Sequence, residues 1–110
     1  MEQNYFKTSV QLTGEQETVM NTDITIRPYA GENQPQVRAF ASLLFNGCLM
    51  CDNIRIVEEN GRFYVSMPRR RLRADEYRDI CRPVNRDFRN QLYSAIIDAY
   101  RQATPEQAEE

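Results

Sequence analysis

The stretch VRAFASLLFNGCLMCDNIRIVEENGRFYVSM, Val37 to Met67, decides the fold. In its first nine residues Val37, Ala39, Ala41, Leu43 and Phe45 share one face, with Arg38 and Ser42 on the other, which is the two-residue period of a half-buried strand. Phe40 and Leu44 make the second face less polar than usual. Asn46-Gly47 follows, and both residues tolerate the positive φ of a type I′ turn. A second strand, Cys48 to Glu58, is therefore expected to fold back antiparallel, with Cys48, Met50, Ile54 and Ile56 on one face. Glu59-Asn60-Gly61 signals another turn before RFYVSM, where Phe63, Val65 and Met67 alternate. The three strands form a meander, and Pro68 ends it.

Working outward, Ile24 to Tyr29 alternates until Pro28, as an edge strand or a strand end does, and AGENQPQ reads as a loop. Residues 1–22 are polar without a sustained period and read as a flexible arm. On the other side the period becomes helical. Phe88, Leu92, Ala95, Ile96, Ala99 and Tyr100, spaced by three and four, give one apolar stripe able to cover a sheet face. Asn85 or Asp87 suits its start, and the helix is expected to end near Gln102. Residues 103–110, ATPEQAEE, read as a disordered acidic tail. The fold class is α+β: a small antiparallel sheet, a meander with hairpins, followed by a C-terminal helix in a single domain over residues 23–102. A chain of 110 residues suits one domain.

Composition narrows the function. No apolar run approaches the roughly 18 residues of a membrane span, and the N-terminal residues lack the basic and apolar regions of a secretory signal, so a cytoplasmic protein is expected. Three cysteines, an odd number, fit reduced thiols better than a disulfide framework. Histidine is absent, which removes the commonest general acid or base and argues against an enzyme. Zinc wants four Cys or His ligands, and Cys48 and Cys51, three apart on a strand, point to opposite faces; no metal or other cofactor is expected.

Charge is uneven. The chain carries a net charge of -2, yet Arg69 to Arg89 holds eight arginines against four acidic residues. Thirteen of the fourteen basic residues are arginine, whose guanidinium fork binds phosphate oxygens bidentately. Arg69, Arg70, Arg71 and Arg73, in a loop past the last meander strand, and Arg86 and Arg89, at the helix start, are the candidate nucleic-acid-binding residues. Against this, Asp75, Glu76, Asp79 and Asp87 could neutralise the arginines as a salt-bridged surface. Arg55 and Arg78, each near an acidic residue, are read as structural.

VRAFASLLFNGCLMCDNIRIVEENGRFYVSMP, then YRDICRPVN, then a helix rich in Arg and Ala, resembles the SpoVG family of septation regulators (stage V sporulation protein G) from about Asp23 to Arg101. The most specific matches are Asp52-Asn53-Ile54-Arg55, Val65-Ser66-Met67-Pro68, and Tyr77-Arg78-Asp79-Ile80 ahead of Pro83-Val84-Asn85. The resemblance implies an antiparallel sheet with a C-terminal helix, a homodimer, and a non-catalytic bacterial regulator that binds DNA and RNA. It assigns the nucleic-acid role to Arg70, Arg71 and Arg89. Cys48 and Cys51 replace other strand residues of the family, Arg82 stands where histidine is common, and Asp75 takes the place of a glycine. The expected partners are nucleic acid and a second copy of the chain, with no membrane and no small-molecule substrate. The alternative is a protein-interaction module whose arginines dock an acidic protein.

Overall fold

The structure, a computed structural model, describes residues 5–104. Strands β1 (Phe6–Thr13), β2 (Val19–Pro28), β3 (Val37–Phe45), β4 (Leu49–Glu59) and β5 (Arg62–Ser66) form one antiparallel sheet in chain order. Strands β6 (Arg69–Arg73) and β7 (Glu76–Asp79) form a separate two-stranded ribbon, and helix α1 (Arg86–Ala103) follows. The expected α+β architecture is present.

Both hairpin signals of the central stretch are used. Asn46 and Gly47 have φ of 52° and 67°, and the Cys48 N–H donates to Phe45 O at 2.8 Å to close the turn. Asn60 and Gly61, at 55° and 79°, form the tight connection between β4 and β5, in which Glu59 pairs with Arg62. A Cβ at Gly47 or Gly61 would meet nothing nearby, so the left-handed backbone is what selects glycine there.

One face of the sheet is covered by α1. Ile24, Ile26, Ala39, Ala41, Leu43, Ile54 and Ile56 meet Leu92, Ile96, Ala99 and Tyr100 in a single core, with the Phe63 and Tyr100 rings 5.2 Å apart. The buried helix residues are those of the apolar stripe. Asn85 is the N-cap, its Oδ1 accepting from the Phe88 N–H at 2.8 Å, which resolves the choice between Asn85 and Asp87. The helix runs to Ala103, where the Thr104 N–H and Oγ1 both donate to Tyr100 O.

Two expectations need correction. The arm expected over residues 1–22 instead supplies β1 and the start of β2, paired from Phe6 with Ile26 to Thr13 with Val19. Phe6, Thr8, Val10 and Leu12 point toward the core side while Lys7, Ser9, Gln11 and Thr13 are exposed, so the period is present but diluted by threonine. The Gln91 side chain fastens this strand to α1, donating to Thr13 O at 2.8 Å and accepting from the Thr13 N–H at 3.0 Å. The acidic tail lies outside the described residues from residue 105 onward.

The second correction concerns β4. Ala41 pairs with Ile54 but Leu43 pairs with Cys51, so β4 holds one extra residue, and Asn53 takes φ 63° at this bulge. The extra residue shifts the alternation. Cys51, Ile54 and Ile56 are buried, whereas Met50 is exposed beside Leu44 on the opposite face. The bulge also brings Asp52 to the outer side, where Ser42 Oγ donates to its carboxylate and the Arg27 guanidinium lies 3.5 Å from Ser42 Oγ.

Candidate nucleic-acid interface

Pro68 halts β5, and the chain turns directly into β6, so the segment expected as a loop is a β-ribbon. The Ile80 N–H closes its base by donating to Pro68 O at 2.8 Å. Every residue of β6 and β7 is exposed, and neither strand packs extensively on the sheet or the helix. The ribbon therefore owes its place to its own ladder and its base.

Arg69 pairs with Asp79, Arg70 with Arg78, and Arg71 with Tyr77; a register shift precedes Arg73 with Glu76. Cross-strand placement of Arg70 opposite Arg78 sets two guanidinium side chains on adjacent positions, where like charges repel. Arg71 Nε donates to Arg73 O at 3.2 Å, and the Arg69 guanidinium carbon lies 5.7 Å from the centre of the Tyr77 ring. Among the described residues the cluster contains one ion pair, Arg73 Nε to Glu76 Oε1 at 3.8 Å. Arg69, Arg70 and Arg71 have no carboxylate partner within ion-pair distance among the described residues. Asp79 is the ladder partner of Arg69, but neither it nor Asp75 nor Asp87 comes within ion-pair distance of these three arginines.

Arg86 and Arg89 are exposed on the first turns of α1. The two regions meet electrostatically at Tyr93: burial raises its phenol, Arg89 lowers it, and Asp79 at the end of β7 raises it. Helix start and ribbon base thus act on one side chain. Arg78, read from sequence as structural, is exposed in the middle of the ribbon face; reading RRRLR and EYRD as two short strands around Ala74-Asp75 would have found it. Arg55 differs, being half-buried on β4 between Phe40 and Ser66, with its Nε buried and lacking a hydrogen-bond partner.

The SpoVG family model matches residues 19–102, covering β2 through nearly all of α1 and including the whole ribbon. The chain belongs to the SpoVG family. Among its SpoVG relatives, a protein of Borreliella afzelii is 34% identical over 85 residues, covering 76% of this chain and 88% of the relative. One of Borrelia hermsii is 35% identical over 89 residues, with 80% and 93% covered, and one of Caldicellulosiruptor saccharolyticus is 30% identical over 79 residues, with 72% and 88% covered. Each bears the name "Putative septation protein SpoVG", which describes septation and no reaction. The SpoVG match begins where β2 begins, so β1 lies outside it. No helix among the described residues is long and apolar enough to cross a membrane.

Proposed function

We propose that this SpoVG-family chain is a non-catalytic bacterial regulator that grips DNA or RNA backbones with its arginine ribbon and helix start. The observation that carries the reading is Arg70 facing Arg78 on an exposed ribbon whose sole ion pair among the described residues is Arg73–Glu76. Two like charges held side by side cost stability unless an anion bridges them, and a phosphate is an anion of suitable geometry for a guanidinium fork. Arg69 and Arg71 stand on the other face of the ribbon with Tyr77, and Arg73, Arg86 and Arg89 add further positive charge. Tyr77, 55% exposed between Arg71 and the base of the ribbon, offers a ring on which an unpaired base can stack.

The regulator acts as a homodimer in the cytoplasm. Support for the dimer comes from the sheet face opposite α1, where Phe40 and Leu44 are half-buried and Met50 and Tyr64 are exposed. Leu44→Glu is expected to convert the dimer to monomer in light scattering, and a wild-type chain of monomer mass would overturn this part.

The deciding experiment is a gel shift with single-stranded RNA and double-stranded DNA, comparing wild type with the Arg70→Ala, Arg71→Ala double variant. Competitors are a phosphate polymer and an acidic polypeptide. Displacement by the phosphate polymer, together with weakened binding in the variant, supports the reading. Equal affinity of variant and wild type would overturn it, and displacement by the polypeptide alone would assign the arginines to an acidic protein partner.

A further inference from the structure

Cys81 sits two residues beyond the end of the arginine ribbon, in the connector to α1, and packs against the core cluster that contains Cys51 of β4. Both residues line one open cavity of about 650 Å³, walled also by Leu49, Asp52, Pro68 and Asp79. Cys51 is buried, 5% exposed, whereas Cys81 is half-buried. Burial pushes the Cys51 thiol up to about 12, with the neighbouring Cys81 side chain and the Asp52 charge adding to the rise. At neutral pH Cys51 is a protonated thiol, and the thiol open to a small reagent is Cys81. Cys48 stands apart, exposed at the turn between β3 and β4.

We propose that Cys51 and Cys81 form a reversible dithiol–disulfide site that ties the base of the arginine ribbon to the central sheet. The oxidant is a low-molecular-weight disulfide. The Cys81 thiolate attacks one of its sulfurs, forming a mixed disulfide and releasing one small thiol; Cys51 then gives up its proton and displaces the second small thiol as the Cys51–Cys81 bond forms. Two protein thiols lose two electrons and two protons, and the small disulfide becomes two small thiols. The oxidised chain gains a covalent loop enclosing β5 and the whole ribbon, which constrains the unfolded chain and raises stability. A disulfide of this kind in a reducing compartment is transient and regulatory. The inference stands apart from nucleic-acid binding, because bond formation is read without any ligand.

The test uses the full chain carrying Cys48→Ser, a change at an exposed turn that leaves the core untouched. After incubation in oxidised glutathione, the intact mass is expected to fall by two hydrogens, a peptide linking Cys51 to Cys81 to appear, and dithiothreitol to reverse both. The urea midpoint of the oxidised chain is expected to exceed that of the reduced chain. Cys81→Ser is expected to abolish the crosslink. Glutathione adducts on Cys81, or disulfide-linked dimers, without the internal peptide would overturn the proposal; so would an oxidised chain whose urea midpoint does not exceed that of the reduced chain.

Discussion

In the five-stranded sheet Ile24, Ile26, Leu43, Ile54 and Ile56 are sealed from solvent, whereas in the β6–β7 ribbon every residue is exposed and five of nine are arginine. The sheet is held by apolar burial, worth about 1.5 to 3 kcal/mol for each fully buried large side chain. The ribbon has almost none of it, and a lone two-stranded hairpin is marginal in water. Stability and surface chemistry are therefore kept in different parts of the molecule. Substitutions in one part should leave the other nearly untouched.

The largest effect is expected in the sheet. Ile54→Ala removes a fully buried side chain and should cost about 2 to 5 kcal/mol in urea unfolding, while the fraction still folded binds nucleic acid as wild type does. A matching loss of affinity in fully folded protein would break the separation of roles.

Alkaline pH sharpens the same contrast. Cys51 rises from 9.0 to about 12, and Tyr93 and Tyr100 rise from 10.0, each chiefly through burial. The folded chain thus keeps protons that the unfolded chain gives up. The Cys51 contribution is complete below about pH 9 and is lost as pH climbs toward about 12, by up to about 1.4 kcal/mol per pH unit, and the two tyrosines act in the same direction at alkaline pH. Urea midpoints across that range should fall, and Cys51→Ala should flatten the first part of the decline. Identical pH slopes for the variant and wild type would contradict the assignment.

In the ribbon, Arg70→Ala with Arg71→Ala should not lower the urea midpoint, since it relieves the repulsion between Arg70 and Arg78, and should lower affinity for RNA and DNA about tenfold or more. The slope of log affinity against log salt should flatten by about 0.7 to 0.9 for each phosphate that is no longer neutralised. Between the two regions, Asn85→Ala deletes the N-cap and should cost about 1 kcal/mol by thermal or urea unfolding. Smallest of all, Glu76→Gln breaks a pair whose Arg73 side chain is 85% exposed, so the unfolding midpoint should not move.

How much of this could be read in the chain follows the same division. Asn46-Gly47, Asn60-Gly61 and the stripe from Phe88 to Tyr100 each carry a strong local cause, a left-handed backbone or a helical period, and they fixed three strands and the helix. The bulge at Asn53 left no such mark, because asparagine is as much at home in an ordinary turn; one unnoticed residue was enough to put Met50 on the wrong face. Strand β1 hid behind Thr8 and the polar residues between Phe6, Val10 and Leu12. The ribbon hid for another reason: with no face buried, RRRLR and EYRD have no apolar alternation, and Ala74-Asp75 is not a glycine turn. The arginines were visible by composition, but the pairing of Arg70 with Arg78 is a property of register, which composition does not carry.

The clasp between Gln91 and Thr13 has a consequence for self-association. By holding β1 against β2, it keeps the hydrogen-bonding groups along that side of β2 occupied by the chain's own backbone. The open edge of the sheet thereby passes from β2 to β1, a strand that carries Lys7, the kind of charged residue that discourages edge-to-edge pairing. The segment outside the family match thus decides which strand a neighbouring copy would meet, and clipping it away should hand that role back to β2.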